Sequence, residues 1–436
     1  MSKVLLVGSG AREVAIARKI KESRRLVSLF CLSPSINPHI NVLCEKYFMA
    51  PLSENQTIVA VAKKLAIDFA IIGPENPLEN GLVDAMEEEG FPCVAPKKDV
   101  ARIETSKSFA RNILDRCSPE KNPKRKEFSS LEGVEKFLQE LGGSYVVKYD
   151  GLMGGKGVKV SEEHLFSSEE ALGYCKKIIN MGGTFLVEEK LVGEEFSLMS
   201  FCDGKNCAHM PAVQDHKRAF EGDVGPNTGG MGTYSFANHS LPFLSKKDIG
   251  DAQKTNEKVA KELYKTTGTR FKGFLYGGFM ATKSGIKVIE YNARLGDPEA
   301  MNVLSLLKTD FFDICNHILG GSLKNIDVKF EPKATVCKYA VPNGYPDSPE
   351  KGFIVSIENM NADSLFFAAV KESENKIIAT GSRTVACVGV DKEISVAEKK
   401  AEEGISQVAG NVFHRKDIGT AALIQKRIEN MKKVRQ

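Results

Sequence analysis

"KYDGLMGGKGVKV", Lys148 to Val160, gathers four glycines around Lys156 and has a second lysine, Lys148, just upstream. A phosphate-cradling loop of the Walker type needs G-x-x-x-x-G-K-[ST]. From Gly151 to Gly155-Lys156 the spacing is one residue short, and Gly157 stands where the magnesium-binding hydroxyl belongs. The flanks also differ, because "YVVKY" and "VKV" read as strands on both sides and no helix follows. The stretch therefore predicts the tip of a β-hairpin. A glycine-rich tip can close over a triphosphate with its own N–H groups, with Lys148 on the strand and Lys156 on the loop. A solvent-exposed turn is the plainer alternative at this point.

Downstream, "KVIEYNARLGDPE" reads as a strand, and period-two alternation places Ile289 and Tyr291 on one face and Glu290, Asn292 and Arg294 on the other. A carboxylate and an amide oxygen together are hard ligands suited to Mg²⁺, which keeps waters and phosphates for its other positions. Arg294 on that face suits phosphate oxygens. Between these segments, "TFLVEEKLVGEEFSL" (184–198) reads as two strands about Gly193. It puts Glu188 where an adenine would hydrogen-bond and Glu195 where ribose hydroxyls would.

Residues 1–105 alternate short apolar runs ("KVLLVG", "LVSLFCL", "DFAIIG", "PCVA") with amphipathic helical segments, which predicts a doubly wound parallel sheet. The first turn, "GSGARE", fails as a dinucleotide fingerprint: Glu13 holds the third glycine's place, and no acid follows about twenty residues on. Gly8 and Gly10 still bring backbone N–H groups to a helix N-terminus, an anion seat or else a plain tight turn. Ser118 to Phe128, "SPEKNPKRKEF", reads as a solvated linker. From about Lys333 a further α+β segment follows.

At 436 residues, the chain has the length of about three domains. A net charge of +4, from 60 basic and 56 acidic residues, argues against nucleic acid as a partner. The ten cysteines form no CxxC pair and read as free thiols of a reducing compartment. No apolar run suggests a signal or a membrane span, so a cytoplasmic protein is expected.

A Gly-rich hairpin, then V-E-E…G-x-E, then a strand ending E-x-N is the order of parts in the ATP-grasp fold, which this sequence resembles. More narrowly, it resembles the glycinamide ribonucleotide synthetase family. That likeness rests on "GSGARE", "IIGPENPL", "SKSFA", "VVKYDGLMGGKGV", "VEEKLVGEEFS", "QDHKR", "GPNTGGMGTYS", "GFLYGGFM", "IEYNARLGDPE" and "RKDIG". The resemblance implies three parts: a substrate-binding domain over 1–105, an ATP-grasp domain over 106–320 with a mobile lid at about 119–187, and a C-terminal α+β domain over 328–436. It implies ATP-dependent joining of glycine to 5-phosphoribosylamine through a glycyl phosphate, with Mg²⁺ or Mn²⁺, in a monomer or small homo-oligomer.

By the same resemblance, Lys107, Lys148, Gly154, Gly155, Lys156, Glu188 and Glu195 hold ATP, and Glu290 and Asn292 hold the metal. Arg294, Lys156, Asp215 and Asp297 serve catalysis. Gly8, Gly10, Arg12, Glu13, Glu75, Lys217, Arg218, Asn227, Thr228, Gly229 and Gly230 face the other substrates. The sequence departs from the family at Ala11 and Val14, at "CLSPSINPH" (31–39), at "PNGYP" (342–346) and at "FFAAVK" (366–371). Two other readings fit some of these parts: another ATP-dependent purine ligase or carboxylase, and a nucleotide-binding regulator without chemistry.

Overall fold

In a computed structural model, residues 1–153, 157–357 and 364–436 are described. The N-terminal sheet is wholly parallel, in the order β3-β2-β1-β4-β5: β1 (Ser2–Val7), β2 (Val27–Ser33), β3 (Lys46–Met49), β4 (Phe69–Ile72) and β5 (Cys93–Val94). Val4 to Val7 and Phe69 to Ile72 are buried, as continuous apolar strands are when helices cover both faces. The chain order reverses between β1 and β4, where an open α/β sheet forms its crevice. The turns leaving these two strands are Gly8–Gly10 and Gly73–Glu75, so the topology itself brings "GSG" and "GPE" together. Strand β3 escaped the sequence reading because its pattern of exposure is mixed, as at a sheet edge.

Next comes an antiparallel sheet in the order β6-β9-β7-β8: β6 (Arg125–Phe128), β7 (Tyr145–Tyr149), β8 (Val158–Val160) and β9 (Phe185–Glu189). β7 and β8 pair antiparallel, the hairpin expected around Gly151–Gly157. Helices Val134–Glu140 and Ser168–Asn180 cover this sheet, and Val134, Phe137, Val147, Phe185 and Val187 build a small core of its own. The expected linker at 118–128 is corrected here. Pro119–Lys121 forms a 3₁₀ turn and Arg125–Phe128 an edge strand, where lysines and arginines are compatible with exposure on one side.

The chain continues through β10 (Glu194–Asp203), β11 (Cys207–His209), β12 (Gln214–Asp215), β13 (Arg218–Phe220), β14 (Val224–Asn227), β15 (Gly232–Ser235), β16 (Lys272–Thr282) and β17 (Gly285–Asn292). The central antiparallel sheet runs β11-β10-β16-β17, backed by helix Lys246–Thr267. Beyond it lie β18 (Ala334–Pro342), β19 (Ile354–Ile357), β20 (Leu365–Phe367), β21 (Val370–Ser373), β22 (Lys376–Ala379) and β23 (Val385–Asp391). One sheet joins β12-β15-β18-β23-β20. Hydrogen bonding thus crosses the boundary expected at 320–328: β15, which ends the "GPNTGGMGTYS" stretch, is a strand of the C-terminal sheet. Among the described residues, no helix is long and apolar enough to cross a membrane.

Candidate active site

The site is centred on β17, where a β-bulge interrupts the period-two expectation. Glu290 pairs with Gly278 while Val288 pairs with the next residue, Phe279, which leaves Ile289 as the extra residue. Without the bulge, Glu290 would follow Ile286 and Val288 into the core; with it, Tyr291 takes that direction instead. Glu290 is thereby turned to a cluster of cations. Burial alone would raise its pKa, but Lys217, Lys107, Lys148 and Arg294 outweigh burial and hold it below the ordinary carboxylate range. Asn292 lies on the same side. With its amide nitrogen turned to donate to Tyr291 O (3.1 Å) and Glu104 Oε1 (3.2 Å), its Oδ1 is left as an acceptor.

That pair passes a chemical test for a hard cation. An ionised carboxylate and an amide oxygen are oxygen ligands, and Mg²⁺ binds proteins through one or two such groups plus substrate phosphates. Among the described residues no cluster of three His, Cys, Asp or Glu offers a fully protein-made cage.

The cations around Glu290 are themselves held in place. Lys148 Nζ lies 2.8 Å from Glu188 and donates to Ile289 O at 3.1 Å. Burial lowers its pKa, against the pull of Glu188. Lys107 starts helix Lys107–Cys117; its Nζ donates to Gly151 O at 2.9 Å, and its backbone N–H to Asp150 at 2.5 Å. Asp150 also accepts from Ser108 N, so it fastens the base of the Gly-rich hairpin to the start of that helix. Gly154, Gly155 and Lys156 lie outside the described residues.

Glu188, read from sequence as an acceptor for adenine, instead has both carboxylate oxygens engaged by protein cations. Arg111 forks onto it at 2.6 and 2.7 Å, and Lys148 shares Oε2. Against burial, which would raise it, these cations hold its pKa down to about 2. Arg111 also donates to the carbonyls of Val288 and Ile289 at 2.8 Å, and so grips the bulge. Sequence reasoning missed Arg111, although it lies one helical turn after Lys107 on the same face.

Arg294 links the two halves of the site. Its Nη2 lies 3.0 Å from Glu104, and its Nε is 3.3 Å from Glu75 in the turn after β4. That Nε is buried without a well-aligned acceptor, which leaves a donor available. Arg294 and Arg12 outweigh burial and lower the pKa of Glu75, whereas burial raises that of Glu104. Glu13 is also consumed locally: its carboxylate accepts from Gly10 N at 2.6 Å and Arg12 Nε at 2.7 Å, and Arg12 reaches Leu295 O at 3.2 Å. Gly8, at φ +117°, sits where a Cβ would lie 2.9 Å from Pro74, so the two turns meet only because that residue is glycine.

A third wall comes from 214–235. Lys217 pairs with Glu195, and the carboxylates of Glu195, Glu290 and Asp215 raise its pKa in spite of burial. Burial raises the pKa of Asp215 well above its usual range, and Glu299 adds to it; Glu299 is likewise raised by burial. Thr228 N and Oγ1 both donate to Lys217 O, at 2.7 and 2.9 Å. Gly230 (φ +108°) lets the loop approach, for a Cβ there would meet Asp215 and Pro298 at 2.7 Å. Asn227 pairs with Arg218 across β13–β14. Arg218 turns outward: it donates to Gly225 O at 2.9 Å and pairs with Glu163, next to the hairpin sheet.

Arg383, which no sequence pattern singled out, ties this wall to the next. It donates to the carbonyls of Gly229, Gly230 and Asp297, the last at 2.7 Å, and its Nη2 lies 3.3 Å from Asp297 Oδ1. Tyr339 donates to the same carboxylate at 2.7 Å. The segments that depart from the family also find partners. Asn37 is fully buried and bridges Ser9 O (2.7 Å) to Phe367 O (2.8 Å), while Tyr345 accepts from Gly229 N at 3.2 Å.

Three comparisons bear on this arrangement. Residues 2–104, 105–300 and 335–421 match in turn the N domain, the ATP-grasp (A) domain and the C domain of phosphoribosylglycinamide synthetase. A phosphoribosylamine–glycine ligase of Methanosarcina barkeri is 47% identical over 433 residues, 99% of this chain and 100% of its own. One from Methanocaldococcus jannaschii is 46% identical over 445 residues, the whole of both chains. Among solved structures, the phosphoribosylamine–glycine ligase of Thermotoga maritima has a TM-score of 0.81 at 27% identity, covering 95% of this chain and 99% of that one. The biotin carboxylase domain of a Hydrogenobacter thermophilus 2-oxoglutarate carboxylase, solved with MgADP and bicarbonate, has a TM-score of 0.70 at 17% identity. It covers 99% of this chain and 94% of that one, and shows the fold alone. The chain belongs to the phosphoribosylglycinamide synthetase family of ATP-grasp ligases.

Proposed function

We propose that this ligase phosphorylates the carboxylate of glycine with ATP and passes the resulting glycyl phosphate to the amine of 5-phosphoribosylamine, releasing ADP and phosphate. The single observation that carries this reading is the ring of Lys107, Lys148, Lys217 and Arg294 around Glu290. Such a ring suits charge building up on a phosphoryl group in transit. A divalent ion held by Glu290 and Asn292 would supply charge neutralisation at the β/γ-phosphates. Lys107, whose Nζ donates to Gly151 O, and Lys148 would bind the nucleotide's phosphates, and the family resemblance assigns Gly154, Gly155 and Lys156 to the same ligand.

A carboxylate is a poor electrophile, and the acyl phosphate gives it a leaving group. The new C–N bond forms as the C–O bond to phosphate breaks, and the amine sheds a proton. Asp215, whose burial raises its proton affinity, is the group suited to take that proton. Glu75, kept ionised beside Arg294, would accept from the amine or sugar hydroxyls of the phosphoribosyl substrate. The side chain of Arg12 would meet its phosphate beside the Gly8–Gly10 turn, whose glycine N–H groups are not the anion seat expected from sequence: Gly8 N donates to Leu32 O at 3.0 Å and Gly10 N to Glu13 at 2.6 Å. The loop of Asn227 to Gly230, with Lys217 beneath it, would close over glycine. Hydroxylamine trapping tests the intermediate: glycyl hydroxamate should form with ATP, Mg²⁺ and glycine in the absence of 5-phosphoribosylamine, and ADP release without any hydroxamate would contradict it.

A further inference from the structure

Strands β10 and β11 form a tight hairpin whose closing residues are Cys202 and Cys207, directly opposite one another. Asp203 N donates to Asn206 O at 3.2 Å, and Met210 N to Met199 O at 2.9 Å. Antiparallel pairs alternate between hydrogen-bonded and non-hydrogen-bonded, so Cys202 and Cys207 occupy a non-hydrogen-bonded position. Cα atoms there lie about 4.5 Å apart, at the near end of the span a disulfide bridges. The two sulfurs already face each other at 3.1 Å. The turn is held independently: Asp203 Oδ1 accepts from Lys205 N and Asn206 N, and its Oδ2 from Leu323 N at 2.9 Å.

We propose that Cys202 and Cys207 are a built-in dithiol that a low-molecular-weight disulfide oxidises to an intramolecular cross-strand disulfide. Cys202 is fully buried and Cys207 only half-buried, so the exposed partner meets the oxidant first. The Cys207 thiolate attacks one sulfur of the small disulfide, forming a mixed disulfide and releasing one small thiol. Cys202 then attacks the Cys207 sulfur and expels the second small thiol. The two protein thiols are oxidised, the small disulfide is reduced, and the two protons leave on the released thiols. Seven residues at about 3.3 Å each separate Cys202 from Glu195 along β10, roughly 23 Å. The link therefore staples the far end of the strand and leaves turnover intact.

The test treats the full-length protein with oxidised glutathione, blocks free thiols and maps the peptides. Trypsin cuts at exposed Lys205, inside the turn, so the link appears as two peptides joined through sulfur. The expected result is that joined pair, loss of two of the ten thiols, and no joined pair in C207S. In C202S, glutathione should stay on Cys207 because nothing displaces it. Glutathione persisting on Cys207 of the unaltered protein, pairing of either cysteine elsewhere, or ten thiols still free after oxidation would overturn the proposal. Should C202S fail to fold, the peptide map of the unaltered chain decides alone.

Discussion

At Glu290, one side chain combines ionisation, burial and a ring of cations. Replacing Glu290 with alanine removes the carboxylate that Lys217, Lys107, Lys148 and Arg294 keep ionised. Turnover is expected to fall to background while the circular dichroism spectrum is unchanged; wild-type activity in the variant would remove Glu290 from the chemistry. Glu188 behaves differently, since its partners are protein cations. Glu188→Ala leaves Arg111 and Lys148 buried without their counter-charge, which costs about 3–5 kcal/mol when one partner of a buried pair is removed. Denaturant titration reads that directly, and a loss under ~1 kcal/mol would mean that water reaches the pair.

At the scale of elements, much of the architecture was legible because its signals are local. The apolar runs of β1, β2 and β4, the Gly-rich hairpin and the Glu290/Asn292 row all follow from neighbours in sequence. The bulge in β17 was not legible: it depends on how Gly278 and Phe279 register across the sheet, and only that register shows why Glu290 faces the site. The strand at Arg125–Phe128 was hidden by its charges. Arg383 could not be found either, because it acts from β23's approach on carbonyls some 85 to 155 residues away in the chain. Its fork fastens the Gly225–Gly230 loop to the Asp297 turn. Arg383→Ala should lower kcat roughly 10²-fold, the scale of an ångström of misplacement at a reacting centre. Arg383→Lys, which keeps charge without the fork, should recover only part of it. An unchanged kcat in Arg383→Ala would show that the two loops hold their places without it.

Over the whole molecule, the large core runs through the N-terminal, central and C-terminal sheets, while the hairpin sheet keeps its own. Buried titrating groups couple this packing to pH. Burial, with Arg427 and Arg415 nearby, lowers His216 from 6.5 to about 3. Glu188 falls from 4.5 to about 2. Both folded-state values are depressed, so between about pH 6.5 and 2 these two groups bind more protons in the unfolded chain than in the folded one. Their contribution to stability is then full above about pH 6.5 and drains as pH falls, first through His216 and then through Glu188. His216→Asn should flatten the fall between pH 6.5 and 3, read as thermal midpoint against pH. A slope equal to that of the unaltered protein would show that His216 takes up its proton in the folded state.

The most direct test of the central claim is ADP release in the presence of Mg²⁺, glycine and freshly prepared 5-phosphoribosylamine, each omitted in turn. The account predicts steady turnover only when all three are present with ATP. Turnover that continues at the full rate without glycine would contradict it, because the cations gathered around Glu290 would then serve a different acceptor.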